Sequence, residues 1–381
     1  MVLLAAAPKA AAQLPGLLHH PWGDRFYPKV FWTAREGLTG GVFVGAALQP
    51  EFAFDTPAPH RVAIALDGQI STSGSRFARL DAAAPALANG WRFSLTLSAE
   101  RWRREPYYGI GNGSASDGDT LPGVERYYRA LHRRTYARGA IQRRIVGGLR
   151  VLVGWHAERW LLDSLASPSQ IAVDAAQGAD PRLGVPTDDL ALRFGLVFDT
   201  RDREAAPQRG VLLEALHARA DESLGGDLTY TRTTVSARGW LPVSERWGLA
   251  ARVAGETMGG TPAVGAFFTL EGSERPIDAL GGSDSHRALP RHRFLDADKL
   301  VGNFEARYAV LPHIVRAVLM GFVDVGRVFP AGELALTTEG LKLGGGLGAF
   351  VHFFSETAVL GTTLGVGPEG LALQGHWRWT F

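Results

Sequence analysis

Apolar and polar residues alternate with a period of two along most of this 381-residue chain, in segments of 8 to 15 residues set off by clusters of Gly, Pro, Asp and Ser. The final segment is the clearest. Leu371, Leu373, Gly375, Trp377, Trp379 and Phe381 share one face, and Ala372, Gln374, His376, Arg378 and Thr380 share the other. Leu192, Phe194, Leu196 and Phe198 oppose Arg193, Gly195, Val197 and Asp199 in the same way, and Leu319, Gly321, Val323 and Val325 oppose Met320, Phe322, Asp324 and Gly326. A soluble sandwich also alternates, so the period by itself does not choose an environment. Arg, Asp and Gln opposite an apolar face are costly in a dry core and natural in a wet lumen. A last strand carrying Trp377, Trp379 and Phe381 also suits the aromatic girdle and membrane-insertion signal of a barrel.

No stretch approaches the roughly 20 apolar residues of a membrane helix; the best internal run is Ala317 to Val323. Helical spanning is therefore excluded. The expected fold is all-β, a closed transmembrane antiparallel β-barrel of about sixteen strands spanning residues 27–381. Before it, the apolar Val2 to Ala7 and the small residues Ala10, Ala11 and Ala12 read residues 1–12 as a residual signal peptide without its basic region. An Ala-rich disordered terminus is the alternative. Residues 13–26 are then a short periplasmic or luminal segment, too short for an independent domain. The absence of cysteine removes disulfides and thiolate metal sites and suits export through an oxidising periplasm. The basic residues are nearly all arginine, with lysine only at 9, 29, 299 and 342; that bias reads first as the mark of a GC-rich genome and second as an arginine-lined surface.

Sixteen strands are expected near 28–36, 39–50, 59–67, 90–102, 124–138, 141–156, 189–200, 209–219, 227–240, 246–259, 264–272, 301–310, 315–329, 341–353, 356–366 and 370–381. This assignment carries a topological conflict. If the last strand ends in the periplasm, connectors 103–123 and 157–188 also fall on the periplasmic side, where barrels use short turns.

Five short motifs follow one another along the chain: Tyr107-Tyr108-Gly109-Ile110-Gly111-Asn112; Phe198-Asp199-Thr200-Arg201-Asp202 with Pro207-Gln208-Arg209-Gly210; Leu280-Gly281-Gly282 leading to His286-Arg287 and Arg293-Phe294; Asn303-Phe304-Glu305-Ala306-Arg307-Tyr308; and Gly321-Phe322-Val323-Asp324-Val325-Gly326. In this order they resemble the bacterial surface antigen family, the barrel superfamily of BamA- and TamA-like assembly factors and two-partner-secretion transporters. The resemblance implies that loop 273–300 folds into the lumen and that Arg287 latches to Asp324, with Glu305 as a second partner. Arg293 and Phe294 of the loop and Phe322 and Gly326 of the strand complete the motif. A buried arginine fork needs a carboxylate of matching geometry; the alternative is a solvated loop in which Arg287 makes no defined contact. One departure stands out: the family's Arg-Gly-aromatic is Arg287-Ala288-Leu289 here, which suggests a looser latch or another route.

The run Asp199 to Arg203 reads as a turn cap with rim ion pairs rather than a metal or acid/base site. Ser283, Asp284, Ser285 and His286 hold the residue types of a lipase triad, but triad members usually converge from separate elements. No nucleophile elbow, HExxH helix or P-loop is present. The expectation is no enzyme, no cofactor and no metal. The resemblance implies insertion of outer-membrane proteins or polypeptide translocation at the bacterial outer membrane. The alternatives are an anion-favouring pore and, third, an outer-membrane lipase. Expected partners are outer-membrane lipids and lipopolysaccharide, the assembly machinery for its own insertion, and client polypeptides or a separate periplasmic-domain protein; no nucleic acid is expected.

Overall fold

The computed structural model describes residues 22–33, 35–48, 58, 60–116, 126–165, 167–311, 316–352 and 359–381. Sixteen strands form one antiparallel sheet in strict sequence order. They are β1 (Trp22–Thr33), β2 (Gly37–Leu48), β3 (Val62–Ser71), β4 (Arg76–Ala88), β5 (Trp91–Pro106), β6 (Arg129–Val146), β7 (Leu149–Ser164), β8 (Thr187–Asp199), β9 (Gly210–Ala220), β10 (Tyr230–Pro242) and β11 (Trp247–Gly260), then β14 (Asp298–Leu311), β15 (Arg316–Phe329), β16 (Lys342–His352), β17 (Val359–Gly367) and β18 (Gly370–His376). Between β11 and β14 the chain forms a short helix, α2 (Val264–Phe267), and a two-strand ladder of β12 (Thr269–Leu270) with β13 (Ile277–Asp278). Another helix, α1 (Gln170–Ala176), lies between β7 and β8.

Burial in this sheet is inverted relative to a soluble protein. Leu347, Leu371 and Leu373 are each more than 70% exposed, whereas Arg193, Arg252 and Arg287 are no more than 2% exposed. The period of two therefore sorts apolar side chains to the outside and charged ones to the lumen. In β8, Leu192, Phe194, Leu196 and Phe198 are exposed and Arg193 is buried; in β15, Leu319 and Val323 are exposed while Met320, Phe322 and Asp324 are buried.

The strand count of sixteen agrees with expectation, but two of its members do not. Residues 264–272 are not a barrel strand: α2 and β12 occupy them, inside the lumen. The strand the sequence hides is β4. Its Ala-rich stretch with Pro85 has low strand propensity, and the register shifts between Ala84 and Ala88, a bulge that accommodates the proline. Exchanging one strand for the other leaves the total unchanged and reverses the parity between residues 89 and 260. The connectors 107–128, 165–186 and 261–297 now all lie at the end opposite the first and last strand termini, which removes the topological conflict. The β6–β7 turn also moves, from an expected position near 139–140 to Gly147-Gly148. Gly139 is a close-approach position instead, since a Cβ there would sit 2.7 Å from the Trp155 indole nitrogen.

Two further expectations change. The sheet does not close: among the described residues β1 pairs only with β2 and β18 only with β17, and the edges meet through side chains, Phe31 against Trp377 at 5.9 Å between ring centres. β1 also begins at Trp22, so residues 22–26 belong to the sheet and not to a preceding segment. Residues 1–21, including the expected signal peptide, lie outside the described residues.

Candidate functional site: a latched loop in the lumen

Residues 261–297 fold into the lumen and are almost entirely buried there. An apolar group of Ala263, Val264, Phe267, Phe268, Ala279 and Leu295 packs against Tyr107, Trp160 and Leu162 of the wall and its connectors. A second group joins Leu270, Ile277, Leu280, Leu289 and Phe294 to Ala254, Val301 and Val328. Inside a polar barrel wall these clusters supply hydrophobic burial, and charged anchors fix the position.

Arg287 is the central anchor. Its Nε and Nη2 donate to Asp324 Oδ2 and Oδ1 at 2.9 and 2.6 Å, its backbone N–H donates to Oδ2 at 2.7 Å, and Nη1 donates to Glu305. The guanidinium lies 4.2 Å from the centre of the Phe322 ring, a cation–π contact. Asn303 donates to Asp324 Oδ1 at 2.6 Å, and Arg307 engages the second oxygen of Glu305 at 2.7 Å. Asp324 and Glu305 sit on β15 and β14, both facing inward and both fully buried. Arg287 is itself fully buried, and the structure brings Arg287, Asp324 and Glu305 together.

The other motif residues serve the same loop from different places. Gly326 faces Leu280, and a Cβ there would come within 2.3 Å of that side chain. Arg293 does not reach the latch; it donates to Glu369 at 2.5 Å and to Ser114 at 2.9 Å, stacked over Phe294. It ties the loop to the β17–β18 turn and to the 107–116 connector.

The Arg-Ala-Leu departure leaves Arg287 bonded to Asp324. Ala288 has no positive φ, so it does not require glycine. Its side chain enters a recess floored by glycine: a Cβ at Gly365 would lie 2.8 Å from Ala288 Cα. Leu289 is fully buried and packs with Leu280 and Phe294.

A second anchor, which sequence reasoning missed, grips another stretch of the wall. Glu271 receives Arg138 of β6 at 3.0 Å and Arg193 of β8 at 2.9 Å, and both arginines also donate to the Gly272 carbonyl. Its own backbone N–H donates to Glu256 of β11, and the Ser273 N–H donates to Glu214 of β9, each at 2.8 Å. Glu274 pairs with Arg201 at 2.5 Å. The signal was present in the inward arginines of β6, β8 and β10, but their partner lay in a segment read as a strand.

Asp199 behaves as a turn cap, accepting from Arg201 at 3.0 and 2.9 Å and pairing with Arg150 at 2.9 Å. The 283–286 residues do not converge on one another. Asp284 receives Arg275 and Arg378, Ser285 Oγ hydrogen-bonds the Ala279 carbonyl, and the His286 ring reaches the Lys342 carbonyl.

The terminal aromatics split. β18 ends at His376, and only Trp377 stays outside, 58% exposed. Trp379 turns inward to stack on Phe350 at 4.5 Å and carries the Arg307 guanidinium on its ring, while Phe381 packs near Trp240. Past His376 the strand has no ladder partner on β17, so burying the rings replaces continued pairing. The expected lipid-facing triad is thus one exposed residue and two that floor the lumen.

Residues 86–349, more than half of the chain, match the Omp85 superfamily domain. No curated protein matches the chain. Among solved structures, BamA from Haemophilus ducreyi lacking POTRA domains 1–3 superposes with a TM-score of 0.56 at 12% identity, over 93% of this chain and 69% of that one. CdiB from Escherichia coli superposes with a TM-score of 0.57 at 13% identity, over 95% of this chain and 63% of that one. The chain spans about two thirds of the length of these two proteins and shares their barrel fold. The domain match covers β5 to β15 with the latched loop between β11 and β14, and the chain belongs to the Omp85 superfamily.

Proposed function

We propose that this barrel sits in the bacterial outer membrane and assists insertion of other outer-membrane proteins or translocation of a polypeptide. The observation that carries this reading is the combination of a packed, doubly anchored lumen with a sheet whose first and last strands share no ladder. A free strand edge offers unpaired N–H and C=O groups to an incoming strand. Clients would be unfolded polypeptides, delivered directly or by a separate periplasmic-domain protein; lipopolysaccharide and other outer-membrane lipids surround the barrel, and assembly machinery inserts it. No cofactor or catalytic role belongs to this reading. A constitutive anion pore is disfavoured by the filled lumen, and a lipase by the divergent partners of Asp284, Ser285 and His286.

The test is single-channel conductance of the refolded protein in a planar bilayer, for wild type and Arg287→Ala side by side. Small or flickering wild-type conductance that rises in the variant supports the latched barrel. Large, steady conductance unchanged by the substitution overturns it in favour of a pore.

A further inference from the structure

The outer wall of β2–β7 carries an arginine row that the latch does not use. Register aligns Arg76 of β4, Arg101 of β5 and Arg133 of β6 as direct cross-strand partners on one face. That face is the outer one, since Leu97, Leu95 and Phe93 continue it down β5 and are exposed. Adjacent strands lie about 4.8 Å apart, so three guanidinium-bearing positions fall within about 10 Å. Arg103, the next outward residue of β5, is also exposed. Among the described residues none of these four has a carboxylate partner, and Arg101 Nε is shielded from solvent without a hydrogen-bond partner. Like charges placed directly opposite destabilise a sheet unless an anion offsets them.

The neighbouring row, toward the membrane interior, is made of small residues: Gly68, Ala78, Ala99 and Thr135 are consecutive cross-strand partners. They floor an open trough of about 1060 Å³, rimmed by Ile70, Arg76, Arg101, Arg133 and Leu161. The next row down, Val44, Leu66, Leu80, Leu97 and Ala137, is apolar. Arginines above, a shallow trough below them, and an apolar wall beneath match a molecule with an anionic head and acyl chains. The row stands at the end of the barrel that bears the long connectors, opposite the strand termini.

We propose that this trough is a binding site for the phosphorylated headgroup of an outer-leaflet lipid, its phosphates held by Arg76, Arg101 and Arg133 and its acyl chains lying on the apolar rows. Arginine is suited to the role because its planar fork donates two parallel hydrogen bonds to phosphate oxygens. The site rests on the outer-membrane placement proposed above. It is independent of the seam and of Arg287.

Native mass spectrometry of the refolded barrel in neutral detergent tests it, with diphosphoryl lipid A, the same lipid stripped of phosphate, and inorganic phosphate as probes. The expected result is one bound diphosphoryl lipid, at least ten-fold weaker binding in the triple variant Arg76→Gln/Arg101→Gln/Arg133→Gln, and unchanged binding in Arg143→Gln, an outward arginine at the other end of the same wall. Heat-modified gel mobility checks that each variant is folded. Equal binding by the triple variant, equal binding of the dephosphorylated lipid, displacement by inorganic phosphate alone, or a lipid-insensitive dimer through this face would each overturn the site. Lipid binding without insertion activity retains the site and removes the functional reading; the converse removes the site alone.

Discussion

Arg287 and Asp324 are joined by three hydrogen bonds, two from the guanidinium at 2.9 and 2.6 Å and one from the Arg287 backbone N–H at 2.7 Å. The carboxylate therefore holds the main chain of the loop as well as its side chain. Removing the arginine leaves Asp324 a buried carboxylate with only the Asn303 side chain beside it and takes one of the two arginines from Glu305, a loss of about 3–5 kcal/mol for pairs of this kind. Arg287→Ala is expected to lower the urea midpoint of the refolded barrel and to expose the loop to protease. Arg287→Lys is expected to rescue little, because a single ammonium cannot present the fork that serves both carboxylates.

The second anchor makes a separate demand. Glu271 holds the loop to β6 and β8, on a different stretch of wall from β14 and β15. If each anchor alone suffices to keep the loop docked, Glu271→Gln and Arg287→Ala should each give brief openings in a bilayer recording, and the double variant should give sustained ones. The signature is non-additivity: open probability in the double variant exceeds the sum of the singles. Strictly additive open probabilities would show that the anchors act on separate parts of the loop.

Much of this arrangement is legible in the sequence. Inward Asp324 and outward Val323 follow from the period of two, and Arg287 follows from the motif. The hidden parts have physical causes. β4 is Ala-rich and interrupted by Pro85, so it lacks the β-branched residues that mark a strand, and the bulge that rescues it is a tertiary feature. Glu271 falls in an expected barrel strand because Val264 to Phe268 carries no polar side chain, and short apolar runs do not distinguish a wall strand from a buried helix. The inward turn of Trp379 and Phe381 depends on where the β17 ladder stops, which no local pattern encodes. Ala288 read as a defect because its compensation lies on a distant strand, at Gly365.

That compensation is testable. A methyl group at Gly365 would press on Ala288 Cα and Cβ at 2.8 and 2.9 Å, and the backbone atom cannot rotate away. Gly365→Ala is expected to cost about 1–3 kcal/mol, the usual range for overpacking, read as a lower urea midpoint. Adding Ala288→Gly should recover part of that loss by removing one of the colliding atoms. No recovery would mean that Gly365 matters for the strand and not for the loop.

Loop docking should weaken as pH falls, in two steps. Burial lowers the pKa of His286 from its ordinary 6.5, so the undocked loop takes up a proton first. Docking is then fully favoured above about 6.5 and loses ground as pH drops toward the lowered value. Glu274 adds a later step: burial pushes its pKa up, but Arg201 and Arg238 outweigh that and bring it to about 2 from 4.5. Its contribution is complete above 4.5 and disappears as pH falls through about 2. Protease accessibility of the loop between pH 8 and 5 should rise in wild type and rise less in His286→Gln, which keeps a donor for the Lys342 carbonyl without titrating. Identical profiles would remove His286 as the cause.

The seam supplies the most direct test of the proposed activity. β1 and β18 share no ladder, and Phe31 and Trp377 meet across the gap at 5.9 Å. Lateral entry of a strand requires these edges to separate, and among the described residues side-chain contact alone opposes that; the tilted aromatic pair is worth about 0.5–1.5 kcal/mol beyond its burial. Because the chain has no cysteine, Phe31→Cys/Trp377→Cys introduces the sole thiols. Bridged by a short bifunctional thiol reagent in lipid vesicles, the double variant should stop accelerating the insertion of a urea-unfolded eight-stranded barrel polypeptide, while each single variant treated identically remains active. Activity retained after complete bridging would show that the client does not enter through the seam, and the lumen would then be the route to examine with the Arg287 and Glu271 variants.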